Sequence, residues 1–121
     1  MRRGQVTHGG QVWVGQAERA VSFWERLRGL LGRASLGPDA ALLIERCGAV
    51  HTVGMRFAID VVFLDSAWRI TRVARSVRPG RLLVGGGVMA VRALESEAGC
   101  LDLSQIRLGD VLVWLDKTCV R

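Results

Sequence analysis

The strongest pattern in the chain is the run from Ile59 to Leu64, apolar at every position but Asp60. Val61-Val62-Phe63-Leu64 has no polar face, so it predicts a central strand covered on both sides. Gln11 to Gln16 alternates, with Val12 and Val14 on one face and Trp13 on the other. Ala41 to Glu45, Val88 to Glu95 and Val111 to Leu115 are further stretches of strand length and strand composition. Turn signals separate these runs: Gly37-Pro38-Asp39, Asp65-Ser66, Gly85-Gly86-Gly87 and Gly109-Asp110, within a total of 15 glycines.

One segment has helical character. Ser22-Phe23-Trp24-Glu25 is a capping box, in which the serine hydroxyl accepts from the Glu25 amide and the glutamate reaches back to the cap. Phe23, Leu27, Leu30 and Leu31 follow at helical spacing and predict a helix over about 22–31, packed on one face, with Arg26 and Arg28 turned outward. Gly32 is the expected stop. Arg69 to Val77 reads both ways. Ile70, Val73, Ala74 and Val77 have helical spacing, whereas the β-branched content and the closing Arg78-Pro79-Gly80 favour a strand. Leu101 to Ile106 reads as a helical turn, and residues 1–10 as a loose terminus. Together these elements predict a single domain over 1–121 with a mainly β (α+β) fold: a compact β-sandwich or partly closed barrel with one N-terminal helix.

Composition narrows the classes. With 121 residues, 50% of them hydrophobic, the chain can bury a core without disulfides or metals. No apolar run reaches the roughly 18 residues of a membrane helix. The basic start, Met1 to His8, is not followed by the apolar core of a secretory signal, so a cytoplasmic location is expected. Cys47, Cys100 and Cys119 are odd in number and widely spaced, which suits reduced thiols better than disulfides or zinc.

The net charge of +6 raises the question of a nucleic-acid partner. Arg69, Arg72, Arg75, Arg78 and Arg81 recur every third residue, so on a strand they alternate faces. No helix-turn-helix, zinc finger or RNA-stacking pattern accompanies them. They read as solvated edge arginines, and nucleic acid is disfavoured as a partner.

Several constellations bear on chemistry. Cys47, His51 and Met55 are soft or borderline ligands, but on a strand consecutive members lie about 13 Å apart, too far to share an ion. Neither a metal nor a cofactor is expected. His51 with Asp60 could form a carboxylate-oriented base, with Cys47 as nucleophile. No nucleophile elbow supports it. Gly85-Gly86-Gly87 lacks the Gly-Lys-Ser/Thr of a phosphate loop and reads as a flexible turn. Glu95 falls within a strand run and needs a partner, for which Arg33, Arg56 and Asp60 are available; a structural ion pair is expected.

Four segments resemble one family. Gly29-Leu30-Leu31-Gly32-Arg33 resembles the "GLM-x-R" signature that opens domain-of-unknown-function family 192. His51 to Asp65 is similar to its central motif, in which an aromatic residue or histidine and a methionine precede an "xxLDVxFxD" strand. Leu94-Glu95-Ser96-Glu97-Ala98-Gly99 resembles its "LE-x-x-AG" segment, and Gly109-Asp110-Val111 its closing "GD-x-V". The resemblance implies a small β-rich barrel or sandwich with one early helix, favours a strand for Arg69 to Val77, and implies no activity. The expected function is a non-enzymatic accessory or binding module, with a small polar ligand or a protein as partner. Its candidate site gathers Arg33, His51, Met55, Arg56, Asp60 and Glu95. An enzyme using His51 and Asp60 with Cys47 is the alternative, followed by a basic adaptor for nucleic acid or an acidic partner.

Overall fold

Two glycines start the sheet. Gly9 and Gly10 both take positive φ, 59° and 80°, the backbone of a two-residue hairpin whose twist matches its strands. They join β1 (Arg2–His8) to β2 (Gln11–Ala20), with His8 opposite Gln11. The computed structural model, in which residues 1–117 are described, thus corrects the expectation of a loose N terminus. Pairing on both sides holds β1 in place, because β9 (Leu112–Asp116) runs along its other edge. Cys119 lies outside the described residues.

β2 pairs in parallel with β3 (Ala40–Glu45), a geometry that needs a crossover. The crossover contains α1 (Phe23–Arg28). Both halves of the capping box at Ser22 are formed, but the helix is only six residues long and buries none of them. Gly29 ends it with φ 50° and ψ −127°, values no α-helix continues through. The chain then turns Leu30 into the core at 1% exposure, leaving Phe23 and Leu27 at 61% and 58%. The predicted apolar stripe is therefore not a packed face.

The remaining strands are β4 (Ala49–Val50), β5 (Ile59–Leu64), β6 (Ile70–Val77), β7 (Val84–Gly85) and β8 (Arg92–Glu97). Seven strands form one sheet in the order β6-β5-β8-β3-β2-β1-β9, and β4 pairs with β7. Every residue of β5 is buried between two neighbouring strands, as its unbroken apolar run requires. β6 settles the ambiguous segment as an edge strand with its arginines exposed. The strand expected from Val88 begins only at Arg92, because the Ala90 amide bonds back to the Gly87 carbonyl in a turn. Leu103–Gln105 forms the helical turn read from the sequence.

The large sheet is open but curled. Its edges touch at one bridge between Arg69 and Val111, flanked by hydrogen bonds from Ile70 to Asp110 (2.9 Å) and from Leu112 to Trp68 (3.0 Å). Of the two expected shapes, this is the partly closed barrel. Gly86, in the segment expected as a flexible turn, is instead buried against Phe63, where an added Cβ would come within 2.3 Å of the ring. Only glycine permits that approach.

Each face of the sheet carries its own core. Trp13, Val14, Leu43, Val62, Leu64 and Leu94 belong to one; Leu42, Ile44, Val61, Phe63 and Ala93 belong to the other, together with Leu30 and Met55. Strand alternation thus turns Glu95, two residues after Ala93, toward the second core. Among the described residues, no helix is long and apolar enough to cross a membrane.

Candidate functional site

Glu95 stands in β8 between Leu42 of β3 and Val61 of β5, both members of the second core. It is 4% exposed, and burial pushes its carboxyl up to about 7. No hydrogen bond or ion pair to that carboxyl exists among the described residues, so nothing offsets the desolvation. Among the described residues, the side-chain polar atoms sealed from solvent without a partner are the Nε atoms of Arg19 and Arg26. The Glu95 oxygens are not among them and therefore touch open space. That space is a cleft of about 90 Å³, lined by Arg26, Leu30, Cys47, His51 and Met55 besides Glu95.

Two segments wall the cleft. One is the end of α1 with the turn Gly29-Leu30-Leu31, placed there by the burial of Leu30. The other is the loop from Cys47 to Met55. Thr52, fully buried, fixes this loop: its Oγ1 donates to the Arg78 carbonyl at 2.6 Å and accepts from the Arg81 amide at 2.9 Å. Cys47 is tied at both ends, its amide to the Val91 carbonyl (2.8 Å) and its thiol to the Ala49 carbonyl (3.1 Å). Burial first and the Glu95 charge second push the thiol above its ordinary range, although the Ala49 contact and Arg26 pull the other way. A protonated thiol is a poor nucleophile.

Of the six candidate site residues, His51, Met55 and Glu95 converge on this cleft. The other three lie elsewhere. Arg33 bonds Glu18 at 3.1 Å in a separate polar groove with Gln16 and Leu36. Arg56 is exposed. Asp60 is buried but accepts hydrogen bonds from the Ser76 amide (2.8 Å) and the Gly99 amide (3.1 Å). The expected ion pair of Glu95 is not formed with Arg33 or Arg56, nor does Asp60 bond it, because the strand register sets Glu95 between Leu42 and Val61. Among the described residues, no group of three or more His, Cys, Asp or Glu side chains is arranged to hold a metal ion.

The family model described as "Uncharacterized ACR", domain-of-unknown-function family 192, matches residues 4–114. The chain belongs to this family. A "UPF0127 protein" of Thermococcus sibiricus is 31% identical over 109 residues, 87% of this chain and 70% of its own. A protein of unknown function from Novosphingobium aromaticivorans has a similar crystal structure, with TM-score 0.77 and 21% identity over 93% of this chain and 84% of its own. So does a candidate transcription regulator of Sinorhizobium meliloti, with TM-score 0.76 and 20% identity over 93% of this chain and 92% of its own. At such identities the two structures establish the shared fold. The family has no established function, and neither the Thermococcus relative nor the Novosphingobium protein carries a named activity.

Three of the four segments that resemble motifs of family 192 meet at the cleft: the turn after α1, the His51 to Met55 loop, and Leu94-Glu95 on β8. The fourth, Gly109-Asp110, bonds Ile70 where the sheet edges touch. Sequence reasoning missed Arg26, which it placed facing outward; nothing local reveals that the helix ends at Gly29 and tilts this side chain over the cleft. It also missed an ion-pair cluster. Glu45 accepts from Arg92 at 2.7 Å and from Arg19 at 3.3 Å, while Arg92 lies 4.3 Å over the Trp68 ring. Burial raises the Glu45 carboxyl, but the two guanidiniums outweigh it and hold the group below its ordinary range. The signal lies in register, since Glu45 and Arg92 are opposite each other on β3 and β8.

Proposed function

We propose that this member of family 192 is a non-enzymatic binding module whose site is the cleft floored by Glu95. One observation carries the reading: a carboxyl buried within an interior strand has no partner among the described residues and faces open space. Burying such a group without compensation is costly, and a ligand that donates to it supplies the missing hydrogen bond. The convergence of three motif segments on the same cleft supports the reading. The enzymatic alternative has less support: the Cys47 thiol is held protonated and Asp60 is committed to two backbone amides. A cytoplasmic setting goes with the reading, supported by the free thiols of Cys47 and Cys100.

The test is methyl NMR of the protein against a cocktail of small amines, carboxylates, amides and alcohols. At least one class should shift the methyl signals of Leu30, Ile44 and Met55. A silent cleft across the whole cocktail would overturn the proposal.

A further inference from the structure

The cleft holds a second group without a partner. Arg26, in the last turn of α1, lines it, and its guanidinium forms no ion pair or hydrogen bond among the described residues. Cys47 lines the cleft together with Arg26 and Glu95. Its thiol feels the negative charge of Glu95 and the positive charge of Arg26. Glu95, by contrast, responds to burial alone, with no relief from the guanidinium. Arg26 and Glu95 line the same cleft but form no ion pair with each other. The result is a bipolar cleft, with an unmet acceptor on its floor, an unpaired guanidinium in its wall, and apolar Leu30, Ile44 and Val50 in the same lining.

We propose that the cleft binds a small zwitterion, whose ammonium group is received by Glu95 and whose anionic end is received by Arg26. The proposal rests on the reading of the cleft as a binding site and names the class of ligand. A simple cation would satisfy Glu95 and leave the arginine donor unmet. A simple anion would do the reverse and add negative charge beside an acid. A molecule carrying both charges satisfies both groups without changing the net charge of a largely buried site. Size sets a further limit. A water needs at least about 10–15 Å³ of such space, so a cleft of about 90 Å³ admits a body of only a few heavy atoms.

Titrations of the whole protein with glycine and β-alanine, set against ethylammonium and propionate, test the idea. The readout is the half-saturation of the Leu30, Ile44 and Met55 methyl shifts at neutral pH. One of the two zwitterions should bind about tenfold more tightly than either singly charged compound, a difference of about 1.4 kcal/mol. Arg26→Met, which keeps an apolar stem, should make that zwitterion and ethylammonium equal. Equal binding of the two by the unaltered protein would overturn the zwitterion and leave the cleft a cation site. No shift with any of the four compounds would also overturn it; if the broader cocktail is silent too, the binding-module reading falls with it.

Discussion

Asp60 and Glu95 sit on neighbouring strands, opposite Ser96 and Val61 respectively, and are almost equally buried, at 3% and 4% exposure. Their surroundings differ completely. Around Asp60, two backbone amides from separate segments converge on one carboxylate, which ties the end of β6 to the turn after β8. Around Glu95 there is apolar packing on the strand side and the cleft on the other, and no donor among the described residues bonds its carboxyl. The two acids show that burial alone does not separate a structural group from a functional one. What separates them is whether the fold itself meets the group's hydrogen-bonding capacity.

The sharpest way to break this contrast is Asp60→Ala. It strands two amides that now donate to a charged group, so a loss of about 3–6 kcal/mol is expected at about 1.5–3 kcal/mol per bond. Urea denaturation measures it, and a loss below about 1 kcal/mol would mean that water replaces the carboxylate.

Glu95→Gln should act in the opposite sense and depend on pH. Its carboxyl is raised from 4.5 to about 7, so the folded chain holds a proton that the unfolded chain releases. The associated stability is complete below 4.5 and is lost as pH rises to about 7. The uncharged isostere escapes that loss. It should gain on the order of 3 kcal/mol over the natural protein near pH 8, at about 1.4 kcal/mol per pKa unit, and almost nothing near pH 4. Denaturation midpoints at both pH values provide the check; a difference independent of pH would show that the Glu95 charge is hydrated through the cleft.

The smallest effect is expected from Ser22→Ala. Losing the cap should cost about 1 kcal/mol and speed hydrogen exchange at Arg26 and Gly29, whose amides close the helix above Glu95. The Ser76 and Gly99 amides at Asp60 should be unaffected. Equal acceleration at both places would show that the two regions open as one unit.

The strands legible in the sequence are those whose side chains alone explain their burial. β3 and β5 are nearly continuous apolar runs, and β9 follows an unmistakable Gly-Asp turn. β1 was not legible, since Arg2-Arg3-Gly4-Gln5 offers no pattern and the strand exists through pairing with both β2 and β9. The capping box was readable because all of it lies within four residues; the helix length was not, because Leu30 has helical spacing yet is buried by the turn beyond Gly29. At the site, the sequence shows that Glu95 needs a partner. Strand register sets Leu42 and Val61 beside it, and the loop anchored by Thr52 brings His51 and Met55 to the cleft, neither of which the local sequence reveals.

The position of β1 between β2 and β9 has a consequence for synthesis. β1 leaves the ribosome with one edge soon covered by its own hairpin and the other bare until nearly all the described chain has been made. Throughout that interval the growing sheet ends in an unpaired strand, the condition under which nascent chains join edge to edge. Arg2 and Arg3, exposed in the finished protein, place positive charge on that strand while it waits, and repulsion between copies keeps the place open for β9.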